Sequence, residues 1–111
     1  MDVIPIQKDQ IQKVLDEFAG QDIYLHLETT NGAYSAIKFG AYIRNEKIRY
    51  SRGSIHGDEN SYRIGLKIEN GWVYGEGLTD WELDEKGRLL IAGHNEEGRL
   101  AVAFQLSKEP F

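Results

Sequence analysis

Apolar residues recur along this chain with two different periods, and the change of period divides it. Ile11, Val14, Leu15 and Phe18 follow the i, i+3, i+4, i+7 spacing of one helical face, with Gln12, Lys13, Asp16 and Glu17 opposite. Pro5 and Asp9 lie near the start of that pattern, and Gly20 stands where a left-handed residue would close it. The spacing therefore predicts one N-terminal helix over 8–19.

Beyond residue 22 the period is two. Ile23, Leu25 and Leu27 are apolar at odd positions, while Tyr24, His26 and Glu28 point to the other face of the same strand. Ile37, Phe39, Ala41 and Ile43 keep the odd parity. Four Gly-closed clusters punctuate the rest: Thr30-Asn31-Gly32, Glu69-Asn70-Gly71, Asp84-Glu85-Lys86-Gly87 and Asn95-Glu96-Glu97-Gly98. Each can reverse a strand, because Asn and Asp tolerate turn conformations and Gly accepts positive φ.

Side-chain parity then selects loop lengths. A three-residue loop at 30–32, with Gly32 left-handed, keeps apolar sets in phase by pairing Leu25 with Ile37 and Ile23 with Phe39. The same length at 85–87 pairs Leu83 with Leu89 and Trp81 with Ile91. At 96–98 it sets His94 against Leu100, Ala92 against Val102 and Leu90 against Phe104. Strand 88–94 would then be apolar on both faces, one enclosed by a curled sheet and the other covered by the helix or a partner subunit.

Lys47–Ser51, Tyr62–Ile68 and Gly71–Leu78 read as further strands, with Gly75 and Gly77 marking bends or bulges in the last. The polar segment from Arg52 to Asn60 reads as the long loop. The sum is a mainly β domain: a strongly curled antiparallel meander or partly closed barrel of seven or eight strands with one N-terminal α-helix.

The 111 residues fit one domain, 1–111, without disulfides or a structural metal. The absence of Cys removes thiolate nucleophiles, Cys-based zinc sites and iron–sulfur clusters. No apolar run approaches the ~20 residues that cross a bilayer, so the expectation is a cytoplasmic protein with no membrane contact. A formal charge of −5 opposes phosphate neutralisation and disfavours nucleic acid as a partner.

Candidate chemistry is sparse. His26 and Glu28 share a strand face, and His56, Asp58 or His94 would approach them in a closed sheet, giving nitrogen and oxygen donors to a metal-dependent or carboxylate-dependent enzyme. No spacing singles out a catalytic residue, no serine has a nucleophile-elbow context, and no glycine-rich loop leads into a helix. No cofactor or metal is assigned. The six tyrosines fall in strand-like places near Arg44, Arg49 and Arg63, a pairing of residue types that suits binding surfaces. The candidate binding residues are accordingly Tyr24, His26, Glu28, Tyr42, Arg44, His56 and Asp58.

Three segments together resemble the YojF-like family of small bacterial proteins: Asp22-Ile23-Tyr24-Leu25-His26-Leu27-Glu28-Thr29-Thr30-Asn31-Gly32-Ala33-Tyr34, Gly71-Trp72-Val73-Tyr74 with Gly77-Leu78-Thr79, and Gly87-Arg88-Leu89-Leu90-Ile91-Ala92-Gly93-His94. The resemblance spans nearly the whole chain. It implies a cytosolic bacterial protein of unknown function, with no catalytic residues to carry over, and by association a deacetylase of the bacillithiol pathway as partner. The reading favours a non-enzymatic binding or accessory protein, homodimeric, acting through protein–protein contacts. The alternatives are the His26/Glu28 enzyme and a small-molecule carrier with its ligand in a barrel cavity.

Overall fold

The computed structural model describes residues 4–31 and 36–111. Within them α1 (Lys8–Phe18) precedes eight strands: β1 (Ile23–Thr30), β2 (Gly40–Ile48), β3 (Arg52–Asp58), β4 (Ser61–Lys67), β5 (Trp72–Leu78), β6 (Asp80–Leu83), β7 (Leu89–His94) and β8 (Leu100–Ser107). The helix forms where the apolar stripe predicted it, burying Ile11, Val14, Leu15 and Phe18. Gly20 is left-handed at φ 77°, and its N–H is taken by the Tyr50 carbonyl at 2.8 Å rather than by the helix.

The strands form two antiparallel sheets that do not close into a barrel. Five strands run in the order β2-β1-β8-β7-β6 and three in the order β3-β4-β5. The expected meander is interrupted where β1 pairs with β8, so the first and last strands lie side by side. The chain changes sheet twice, at residues 49–51 and at Thr79. One buried cluster fills the space between, drawn from α1, Ile23 and Leu25, Ile55, Ile64 and Leu66, Leu89 and Ile91, and Phe104 and Leu106. Withdrawing this apolar surface from water is what holds helix and sheets together.

Two hairpins have the predicted three-residue loops. Asp84 and Asn95 close them by accepting from the N–H groups of Gly87 and Gly98, which sit at φ 74° and 78°. In the first, Leu83 pairs with Leu89 and Trp81 with Ile91, as parity required. In the second, His94 does pair with Leu100, but the register then slips: Gly93 pairs with Val102, Ala92 with Ala103, Ile91 with Phe104 and Leu90 with Gln105. The extra residue, Ala101, is a bulge that turns Val102, Phe104 and Leu106 to the side of Leu89 and Ile91. Strand β7 therefore sends Leu89 and Ile91 into one core with Val102, Phe104 and Leu106, while the half-buried Leu90 and the buried Ala92 and Ala103 lie on its other face; α1 packs on β3 over that same core rather than covering the second face.

The β1–β2 pairing also departs from expectation. Thr30 pairs with Gly40 and Leu27 with Ile43, but Leu25 meets Glu46 and Ile23 meets Ile48. Neither the Leu25–Ile37 nor the Ile23–Phe39 pairing forms, because the strands are joined through a longer connection and because a bulge interrupts the ladder opposite His26. Asn45, at φ 58°, sits in that bulge, a conformation Asn tolerates better than most residues. The left-handed Gly32 expected in this connection lies outside the described residues.

The segment expected to be a loop, 52–60, is mostly strand β3, and 47–51 is the end of β2 and the crossover. Its pattern was hidden because a core position is filled by glycine. A Cβ on Gly53 would lie 3.0 Å from both Leu66 Cδ2 and the Tyr50 ring, and 3.4 Å from Leu15 Cβ, so α1 and the crossover press on bare backbone. Gly77, at φ 74°, forms the bulge foreseen in β5, where the register shifts opposite Arg63.

Candidate functional site

Alternation places Tyr24, His26 and Glu28 on the outer face of β1, and sheet pairing supplies their neighbours. Glu28 lies between Tyr42 of β2 and Ala103 of β8, while His26 pairs with Gln105. His26 Nε2 is 3.7 Å from Glu28 Oε1, and both side chains are partly exposed. The Arg44 guanidinium lies 5.2 Å over the Tyr42 ring. The C-terminal Phe111 folds across this face: its N–H donates to Asn45 Oδ1 at 2.8 Å, its ring meets the His26 ring edge-on at 6.4 Å, and Arg88 stacks on it at 5.9 Å. His26, Arg44, Asn45, Gln105 and Phe111 line a concavity of about 360 Å³.

Five of the seven sequence candidates, Tyr24, His26, Glu28, Tyr42 and Arg44, thus share one surface. His56 and Asp58 do not. They lie on β3 in the other sheet, because the sheets are not closed into the barrel that would have brought the two pairs together. His94 is on the outer face, but its Nδ1 is bonded at 2.5 Å to the buried Asp80, whose carboxylate also accepts from the Thr79 hydroxyl at 2.8 Å. Among the described residues no group of three or more His, Cys, Asp or Glu is placed to hold a metal ion. Among the described residues the buried cluster between the sheets is apolar, and the sheets do not close into the barrel in which a ligand was expected.

Strand edges supply the sharpest contrast. On β6 the edge is covered by the N-terminal segment: the N–H of Ile6 donates to the Thr79 carbonyl and that of Trp81 to the Ile4 carbonyl. On β3 it is covered by one side chain, since the Gln12 amide donates to the Gly53 carbonyl at 2.9 Å and accepts from the Ile55 N–H at 3.1 Å. The outer edge of β2 has no backbone partner among the described residues. Residues 40–47 are all exposed, and Ile37, Phe39, Tyr42 and Ile43 are 70%, 68%, 65% and 45% accessible. The half of β2 from Arg44 to Lys47 carries three charges and the bulge, devices that deter strand addition. The half from Gly40 to Ile43 carries neither.

A second surface escaped the sequence reading. On the outer face of the three-stranded sheet, Arg52, Lys67 and Trp72 form one cross-strand row, and Ser54, Gly65 and Tyr74 the next. Trp72 and Tyr74 stack with centroids 5.8 Å apart and planes within 11°. Arg52 and Lys67 lie 5.4 and 5.8 Å from the Trp72 ring, and Arg63 lies 5.3 Å from Tyr74. The alternation Trp72, Tyr74 was visible, but its cations come from two other strands.

Comparison with known proteins agrees with this architecture. Residues 5–111 match the family model described as "Protein of unknown function (DUF1806)". The "Uncharacterized protein YojF" of Bacillus subtilis (strain 168) is 46% identical over 112 residues, covering 96% of each chain. The crystal structure of the Bacillus subtilis YojF protein superposes with a TM-score of 0.86 at 42% identity, covering 100% of this chain and 98% of that one. With the family model matching residues 5–111, 46% identity over nearly the full length and the same fold, the chain belongs to the DUF1806 family, the YojF-like proteins of unknown function.

Proposed function

We propose that this protein is a non-enzymatic binding protein that acts through protein–protein contacts, and that the first of these contacts joins two copies through β2. One observation carries the reading: Ile37, Phe39, Ala41 and Ile43 are patterned as a core-facing set, yet all four are exposed. An edge strand offers its N–H and C=O groups to a further strand, and apolar side chains beside it stabilise the addition. The other two edges described above are covered within the chain. Pairing of β2 with β2 of a second copy about a two-fold axis would satisfy both edges at once, which is how a self-complementary patch closes an assembly.

The outer face bearing Tyr42, Arg44, His26 and Glu28 continues from this edge and provides the polar rim. Light scattering during size-exclusion chromatography tests the reading. A dimer has twice the chain mass of 12.7 kDa, and Ile43→Lys combined with Phe39→Glu returns it to the monomer without loss of helix or strand signal. A wild-type mass of 12.7 kDa at every concentration would refute the dimer.

A further inference from the structure

A concavity lies at the seam where the chain leaves the five-stranded sheet for the three-stranded one, beyond the exposed half of β2 from Gly40 to Ile43. It has a volume of about 930 Å³ and is lined by Ile48, Arg49, Ser51, Lys67, Asn70 and Gly71, among others. Seams between structural units are where small-molecule sites concentrate, and the volume falls in their usual range of roughly 300–1,000 Å³. The lining is mainly apolar, with two cations at its margin.

Lys67 belongs to two features at once. It lines the cleft, and its Nζ lies 5.8 Å from the ring of Trp72, which is itself 39% exposed. Lys67 and the chain neighbour Gly71 thus connect the cleft to the adjacent indole of Trp72, which Arg52 and Lys67 face. The acidic groups here are Glu69, in the cleft lining, and Asp22, paired with Arg49 at 3.2 Å. That pair is more than half exposed on both sides, so water competes for it and a ligand can displace it. Against a chain of net charge −5, the three cations Arg49, Arg52 and Lys67 facing two carboxylates make a local positive site.

We propose that this cleft binds a small planar aromatic phosphate, of the nucleotide class, with its ring on Trp72 and its phosphate between Arg49 and Lys67. The chemistry is complementary at each end. A flat heterocycle replaces one cation on the exposed indole, where a cation–π contact is weak enough to be exchanged. The Arg49 fork and the Lys67 ammonium, which donates to the Ile68 carbonyl at 3.1 Å and keeps further N–H donors, then share the phosphate through charge-assisted bonds. The apolar stretch around Ile48 and Ile68 packs against the sugar and ring edge.

The site shares no residue with the exposed stretch from Ile37 to Ile43 that carries the dimer reading, so it stands or falls independently of dimerisation. AMP is the probe. In a Trp81→Phe background Trp72 is the only indole, and Phe keeps an aromatic ring in the core while giving up no hydrogen bond, because the buried Trp81 Nε1 has no acceptor among the described residues. Titration should quench Trp72 fluorescence saturably at one AMP per chain. Adenosine alone and inorganic phosphate alone should each bind at least about tenfold more weakly. Lys67→Gln should weaken AMP by about tenfold through loss of one charge-assisted contact.

Gly71→Leu provides a second variant that leaves the fold alone, because a Cβ at Gly71 meets nothing within 4 Å and its larger side chain would occupy the cleft. It should abolish the quench while leaving the urea midpoint unchanged. Absence of saturable AMP binding overturns the proposal. So does an AMP affinity that neither Lys67→Gln nor Gly71→Leu changes, or binding of single-stranded oligothymidylate without binding of AMP.

Discussion

Gly93→Ala is the most searching test of how the two sheets meet. Gly93 lies on the core face of β7, and a Cβ there would fall 2.1 Å from the Gly77 carbonyl oxygen, 2.9 Å from its carbon and 2.5 Å from Val102 Cγ1. Ordinary contact begins at 3.4 Å, so one methyl group demands more than an ångström of separation between β7 and β5. The obstacle at Gly77 is backbone held in its own bulge and cannot rotate aside. Overpacking a well-filled core costs about 1–3 kcal/mol and more where backbone must move, so the expected loss is about 3 kcal/mol or above. For a domain of this size that lowers Tm by roughly 12 °C. Urea denaturation followed by circular dichroism reads both midpoint and slope, and the midpoint should fall with the slope unchanged. A loss below about 1 kcal/mol would mean that the sheets are not packed backbone to backbone at Gly77 and Gly93.

Three further outcomes follow from particular contacts. Gln12→Ala removes both bonds to the edge of β3 and should cost about 1–2 kcal/mol, with hydrogen exchange at the Ile55 amide accelerated more than at the Leu66 amide. His94→Ala leaves the buried Asp80 carboxylate with the Thr79 hydroxyl as its one side-chain partner among the described residues and should cost about 2 kcal/mol; an Asp80→Asn/His94→Ala double-mutant cycle should return a coupling of about 1 kcal/mol or more. Tyr50, whose buried hydroxyl donates to the Leu15 carbonyl at 2.6 Å, is held well above the ordinary phenol pKa, by burial first and by the Asp16 charge second. Below the unfolded-state pKa of about 10 both states are protonated, whereas above it only the unfolded chain ionises. Stability contributed by Tyr50 should therefore fall by up to about 1.4 kcal/mol per pH unit above pH 10. Tyr50→Phe should lose that part of the alkaline slope, while being less stable at neutral pH.

What could be read before any coordinates were those features whose physics is local. The helix was legible because its stripe repeats within the segment itself, and the loops closed by Gly87 and Gly98 were legible because an αL glycine at that spacing has one use. Alternation put Tyr24, His26 and Glu28 on one face, and parity gave the Trp81–Ile91 and Leu83–Leu89 pairs correctly. The same parity failed at Leu25 and at Ala92 because bulges at Asn45 and Ala101 each insert a residue. A bulge forms when burying Val102, Phe104 and Leu106 with Leu89 and Ile91 outweighs one interrupted ladder step. That comparison needs to know where the core is.

The chain by itself therefore determined helix α1, the strand periods, the tight glycine turns and the face shared by Tyr24, His26 and Glu28, since each depends on residues a few positions apart. Tertiary structure alone decided that β1 lies beside β8, that Gly53 could stand in a core strand under α1, that β2 stays uncovered, and that Arg52 and Lys67 gather on Trp72. These depend on which surfaces meet across strands distant in sequence, and the free energy of burial that selects among such pairings belongs to the assembled core rather than to any segment of it.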